Sequence, residues 1–147
     1  MTQPIRVLFL CTGNSARSQM AEGFLRILGG DAFEAFSAGT DPKGVNPWTV
    51  RTMQDADVDI SGQTSKHLQQ YLNDTFDFVI TVCDRANESC PVFPGDAERI
   101  HWSFDDPADP AVPEAQRAKL FQRVRDEIRT RIRLFISAQR KVTAPLA

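Results

Sequence analysis

The residues best suited to do chemistry stand together in Cys11-Thr12-Gly13-Asn14-Ser15-Ala16-Arg17-Ser18. Cysteine is a nucleophile as its thiolate, and arginine offers a fork of donors that fits a tetrahedral oxyanion bidentately. Gly13 and Asn14 tolerate the unusual backbone angles of a tight cradle. Thr12, Gly13, Asn14, Ser15, Ala16 and Ser18 would line that cradle, and Arg17, six residues after Cys11, would close it. The N–H groups, the positive end of a following helix and the guanidinium all favour a thiolate there, and Ser18 can donate a further hydrogen bond to the sulfur. The expectation is a low-pKa Cys11 aimed at the centre of a bound anion. Cys-x5-Arg alone is a weak pattern. It becomes specific when a strand precedes it and a helix follows, because such a loop presents backbone N–H groups and a dipole to an anion.

Both flanks meet that condition. Ile5–Leu10 is a short β-branched and aromatic run, the first strand. From Arg17 onward, Met20, Phe24, Ile27 and Leu28 recur at spacings of three and four until Gly29-Gly30, one face of a helix. Phe33–Ser37 alternates like a strand, Pro47 opens a helix running to about Ala56, and Leu68–Leu72 is a further short helix. Phe76–Val82 is the best buried-strand candidate, and Arg99–Ser103 a fourth, shorter strand. From Glu114 to about Gln139, Phe121, Val124, Ile128, Ile132 and Phe135 mark one face of a long helix. Strands alternating with helices predict a doubly wound α/β fold: a central parallel sheet of about four strands with helices on both faces. With no repeat or linker in view, residues 1–147 are expected to form a single domain.

Displacement at phosphorus or arsenic also needs an acid for the departing oxygen. The loop Asp105-Asp106-Pro107-Ala108-Asp109-Pro110 is the natural source, with Asp106 the candidate and Asp105 and Asp109 read as solvated. A carboxyl beside a bound anion holds its proton more tightly, because like charges repel, and that suits a general acid.

Composition narrows the classes. The chain has 147 residues, 41% hydrophobic and 24% charged, with a net charge of −2 and 3 Cys. The near-neutral balance argues against a nucleic-acid binder. No apolar run approaches the ~20 residues a membrane helix needs. Arg6 interrupts the only candidate leader, so a cytoplasmic protein is expected. An odd cysteine count there suits reactivity or burial better than a permanent disulfide framework. Residues 114–147 carry a net +6, read as a solvated basic helix face. His67, His101, Trp48 and Trp102 are read as surface or packing residues.

Val7–Ser18, continued by Gln19-Met20-Ala21-Glu22-Gly23, resembles the phosphate loop of the low-molecular-weight protein tyrosine phosphatases. It is closer still to their redox relatives, the thioredoxin-coupled arsenate reductases. The resemblance extends through Ser37-Ala38-Gly39, Gly44-Val45-Asn46-Pro47, Cys83 to Cys90-Pro91, His101-Trp102 with Phe104–Pro107, and Phe121–Ile128. It implies that Cys11 attacks arsenate and Asp106 protonates the departing hydroxide. Cys83 then attacks Cys11 as arsenite leaves, Cys90 takes over as a Cys83–Cys90 disulfide, and thioredoxin reduces that bridge. Arsenate, with phosphate or sulfate as analogues, is the implied ligand, and a monomer is expected. No cofactor is required, since cysteines supply the electrons. The rival reading is a phosphatase using Cys11, Arg17 and Asp106 with hydrolysis in place of the relay.

The relay makes a geometric demand. Residues seven apart on a continuous helix lie about 10.5 Å apart along its axis, whereas a disulfide needs Cα atoms within ~7 Å. Segment 83–90 must therefore loop or unwind when its bridge forms.

Two positions depart from the family pattern. Position 16 is Ala where the reductases often carry a further Cys, which leaves the nucleophile untouched. Several members bind potassium through residues matching Asn14, Glu22, Ser37 and an Asp at position 66. Here position 66 is Lys, and Lys66 is expected to pair with Glu22 and take the ion's place.

Overall fold

The computed structural model describes residues 3–143. Four strands, β1 (Ile5–Cys11), β2 (Phe33–Gly39), β3 (Phe78–Thr81) and β4 (Glu98–His101), form one parallel sheet in the order β2-β1-β3-β4. Helices α1 (Arg17–Gly29), α2 (Pro47–Gln54), α3 (Asp84–Glu88) and α4 (Glu114–Thr143) fill the connections and the C-terminal end. The expected four-stranded α/β architecture is what the chain adopts. Segment 68–72 is a 3-10 turn, Leu68–Tyr71, N-capped by the His67 ring, which accepts the Gln69 N–H at 3.0 Å.

Both faces of the sheet are covered. Side chains alternate across a strand, yet Val7, Leu8, Phe9, Leu10 and Cys11 are all buried in succession. One face carries Phe9, Phe78, Trp102 and Phe135, with ring centroids 5.1–6.1 Å apart, and α4 supplies Phe135. The other carries Phe36, Phe76 and Phe93, packed edge-on at 5.6 and 5.7 Å. The apolar stripe of α4 lies inward: Phe121, Val124, Ile128 and Ile132 are each 0% exposed. Its charged residues only partly form the expected solvated face: Arg117 and Arg125 are largely covered, and Arg125 donates to the Thr52 carbonyl at 3.0 Å, while others find partners at the surface. Arg123 pairs with Asp105 and Glu127, and Arg129 with Asp126. The side chain of Lys141, part of the same basic run, lies outside the described residues.

The order 2-1-3-4 means that the chain leaves β1 to one side, then crosses back to lay β3 on its other side. The switch point falls between β1 and β3, where open α/β sheets bind ligands at the carboxyl ends of their strands. The Cys11 loop follows β1, and Cys83 follows β3.

Candidate active site

Cys11 ends β1 and is 3% exposed. Register puts Leu10 opposite Thr81, and the Val82 N–H bonds the Leu10 carbonyl at 2.9 Å. Cys11 and Cys83 therefore leave neighbouring strands side by side, since paired strands lie about 4.8 Å apart. The Thr12 hydroxyl reaches Cys83 Sγ at 3.4 Å and ties the loop to the second thiol. On the other side, Gly39 ends β2 against the loop. A Cβ there would sit 2.5 Å from the Thr12 carbonyl oxygen and 2.9 Å from the Asn14 nitrogen, so only glycine fits.

Within the loop, Asn14 takes the left-handed conformation (φ 46°) and Gly13 does not. That turn points the Asn14 N–H at Cys11 Sγ, 3.1 Å away. Ala16 caps α1 without a side-chain hydrogen bond, so no side chain of the cap competes with an anion for the first-turn N–H groups, although that of Ser18 already serves the Cys11 sulfur. The pocket above is lined by Cys11, Thr12, Gly13, Ser15, Ala16 and Arg17 from the loop, by Lys43–Pro47, and by Arg85, Asp106, Ala108 and Pro110.

A buried chain of hydrogen bonds runs beneath the nucleophile. Asn14 Oδ1 accepts the Lys66 N–H at 2.8 Å, which orients its amide. The Asn14 amide nitrogen then donates to Ser18 at 2.8 Å and to Ser37 at 2.9 Å. Ser37 passes its own proton to Glu22 Oε1 at 2.6 Å. Ser18, already accepting from Asn14, is left to donate to Cys11 Sγ at 2.8 Å. Every buried member is satisfied, so the geometry around the sulfur is held rigidly.

The low-pKa expectation for Cys11 needs correction. Burial pushes its thiol above the ordinary value, against the opposing pull of the Ser18 hydroxyl and N–H and of Arg17, while nearby Cys83 pushes it further up. The reason is desolvation: the loop hides the sulfur from water. Arg17 is also engaged by the acid loop, its Nη1 donating to the Phe104 carbonyl at 3.0 Å and its Nη2 lying 3.8 Å from Asp106. Alkylation of Cys11 by iodoacetamide should therefore rise with pH, with a midpoint above that of an ordinary thiol. Ser18→Ala removes one of the groups that favour the thiolate, so the midpoint should move higher still and the rate near neutrality should fall several-fold. An unchanged midpoint would mean that the hydroxyl does not donate to the sulfur.

Asp106 reaches the pocket rim, where Oδ1 accepts the Ala108 N–H at 2.9 Å. Asp105 is bound to Arg123 at 2.8 Å, and Asp109 closes a turn by accepting the Ala111 N–H. Of the three loop aspartates, only Asp106 lines the pocket.

Cys83 is buried and caps α3, accepting the Ala86 N–H at 3.4 Å. Cys90 is half-buried beyond the far end of that five-residue helix. Burial raises the Cys90 thiol, with Arg99 opposing through charge and a hydrogen bond. Neither Arg85 nor Arg99 carries a sequence signal that gives it a role at the site. His101 contacts this segment as well: its ring bonds Asp84, the first residue of α3, at 2.9 Å and the Thr81 hydroxyl at 2.8 Å.

Lys66 Nζ stands 3.7 Å from Glu22 Oε1, and Arg26 lies 3.7 Å from the other carboxylate oxygen. The oxygens of Asn14 and Glu22 thus face protein donors and side-chain cations. This donor set does not fit a bound potassium ion.

Residues 6–144 match the family model described as low molecular weight phosphotyrosine protein phosphatase. An arsenate reductase of Halalkalibacterium halodurans is 46% identical over 129 residues, covering 88% of this chain and 93% of that protein. A solved arsenate reductase in its phosphate-binding state superposes with a TM-score of 0.73 at 31% identity, covering 91% of this chain and 98% of that one. A thioredoxin-dependent arsenate reductase of Corynebacterium glutamicum gives 0.72 at 27% identity, over 94% of this chain and 63% of that one. The phosphate-loop signature, the four-stranded parallel sheet and these likenesses agree: the chain belongs to the low molecular weight phosphotyrosine protein phosphatase family, alongside its arsenate reductases.

Proposed function

We propose that this protein reduces arsenate to arsenite, with Cys11 as the nucleophile and Cys83 and Cys90 carrying the oxidation away. The observation that carries this reading is the second thiol. Cys83 leaves the strand next to Cys11 and lies within reach of the same loop, and hydrolysis of a phosphate ester has no use for it. The relatives named arsenate reductase support the same substrate, and the thioredoxin-dependent relative supports thioredoxin as donor.

An arsenate dianion enters the loop and binds the N–H groups of Thr12–Ser18. Arg17 exchanges the Phe104 carbonyl for the anion. The dianion itself takes the thiol proton, which removes the obstacle that burial sets up. Sγ then attacks arsenic while Asp106, now facing an anion instead of a guanidinium, protonates the departing hydroxide. Cys83 attacks Sγ of Cys11. The sulfur–arsenic bond breaks with its electron pair left on arsenic, arsenite departs, and a Cys11–Cys83 disulfide forms. Cys90 attacks Cys83, returning Cys11 to the thiolate and leaving a Cys83–Cys90 bridge. The two electrons gained by arsenic are repaid when thioredoxin's dithiol reduces that bridge. The half-buried Cys90, its thiol raised by burial, must ionise to attack Cys83, so turnover should rise with pH on the acid side of its optimum.

Lys66 takes the place of the potassium ion that some relatives bind, holding Glu22 and through it Ser37 and Asn14. Activity should be the same in potassium and sodium chloride at equal ionic strength, and Lys66→Asp should introduce a potassium response. A strong, specific potassium activation of the unsubstituted protein contradicts this assignment.

A cytoplasmic monomer is part of the same proposal, because the cycle needs thiols kept reduced. Among the described residues no helix is long and apolar enough to cross a membrane. The competing reading, a phosphatase with residues Cys11, Arg17 and Asp106, is favoured by the family's own description. Reduced protein given stoichiometric arsenate and no donor decides between them. The reductase loses two of its three thiols and yields one arsenite per chain, with the bridge at Cys83–Cys90 by peptide mass. Retention of all three thiols supports the phosphatase.

A further inference from the structure

Three side-chain cations line the oxyanion pocket: Arg17, Lys43 and Arg85. Arg17 is engaged by Phe104 and Asp106, and Lys43 pairs with Asp41 at 2.8 Å. Arg85 differs. Among the described residues its guanidinium has no hydrogen bond or ion pair, and the neighbouring Asp84 carboxylate is held by His101. Arg85 is an exposed residue of the pocket lining with no carboxylate partner, so its fork of donors is available to an anion bound there. It also sits inside the segment between the two relay cysteines, on a helix whose N-cap is the Cys83 sulfur.

We propose that Arg85 is an oxyanion-binding residue of the reduced protein which the relay itself withdraws. This rests on the relay reading above. When Cys90 attacks Cys83, the Sγ11–Sγ83 bond breaks and the Sγ83–Sγ90 bond forms, with no net change in electrons. Seven residues of helical rise would hold Cys83 and Cys90 about 10.5 Å apart along the axis, beyond the ~7 Å a bridge spans, so α3 must unwind for the bridge to close. Arg85 leaves the pocket with it. Anion affinity is then high while all three thiols are reduced and low once Cys83 is locked to Cys90. The consequence is protective. The oxidised protein has a free Cys11 and an intact loop, and a second arsenate attacked there would give an adduct that no thiol could resolve.

Inorganic phosphate tests this by calorimetry on the full chain. Unsubstituted protein, Arg85→Ala and Arg85→Lys are compared fully reduced and after oxidation by diamide, which accepts the two electrons and two protons of Cys83 and Cys90. In the reduced form Arg85→Ala should bind phosphate about fivefold more weakly and Arg85→Lys nearly normally, the scale of one partly exposed charge pair. Oxidation should weaken binding to the unsubstituted protein by a similar factor and should leave Arg85→Ala unchanged. Equal affinity of the reduced unsubstituted and Ala forms overturns the ligand role. The same loss from Arg85→Ala in both redox forms overturns the gating, as does failure of diamide to form the Cys83–Cys90 bridge. None of these arms uses arsenate, so a protein that binds phosphate as described but makes no arsenite refutes the reductase reading alone.

Discussion

Cys83→Ser and Cys90→Ser should each abolish multiple turnover with arsenate while leaving the oxyanion site intact. With Cys83→Ser the Cys11–arsenic adduct has no attacking thiol, and arsenite should not be released at all. With Cys90→Ser the first exchange proceeds, one arsenite leaves per chain, and the protein halts as a Cys11–Cys83 disulfide. Phosphate binding should be close to normal in both, because neither side chain holds the loop; Thr12 loses only a weak contact with Cys83 at 3.4 Å. The different stopping points make the pair informative. Equal, unimpaired turnover in both would mean that the thiols are bystanders, and the relay would be overturned.

Arg17→Ala should have the second large effect. In the ligand-free pocket Arg17 joins the nucleophile loop to the acid loop through Phe104 and Asp106. Its removal takes away a bidentate donor to the anion and the group that is exchanged between Asp106 and substrate. Losing one strong donor to a developing oxyanion typically costs about 10²–10³ in rate, and kcat/KM for arsenate should fall at least that far. Arg17→Lys keeps the charge without the fork and should recover only part of the loss. The hydrolysis of an aryl phosphate, if present, should fall in parallel, since both reactions use the same cradle. A fall confined to one substrate would contradict a shared anion-binding role for Arg17.

The residues that carry strong local signals were legible without coordinates. β1, the Asn14 turn and the opening of α1 are encoded within one short stretch. The inward stripe of α4 follows from spacing alone, because periodicity records which face must be buried. The short helix α3 was not legible. Its five residues show no apolar periodicity, and its N-cap is a cysteine sulfur, which ordinary capping preferences do not suggest. The ionisation of Cys11 was misjudged for a related reason. Loop chemistry and Arg17 point to a thiolate, but the dominant influence is desolvation, which depends on how completely the folded chain covers the sulfur. Arg85 and Arg99 gain meaning only from what the fold places opposite them, a pocket and a thiol. Lys66 stands between these cases. Its pairing with Glu22 across 44 residues was suggested by a departure from a family pattern and is seen as a 3.7 Å contact.

The central question is whether arsenate draws electrons through this chain. Arsenate-dependent oxidation of NADPH, in the presence of thioredoxin and thioredoxin reductase, measures that directly. Sustained oxidation that needs arsenate, thioredoxin and the protein together is expected, with one arsenite formed per NADPH consumed. No arsenate-dependent oxidation, with the same preparation hydrolysing an aryl phosphate, would contradict it.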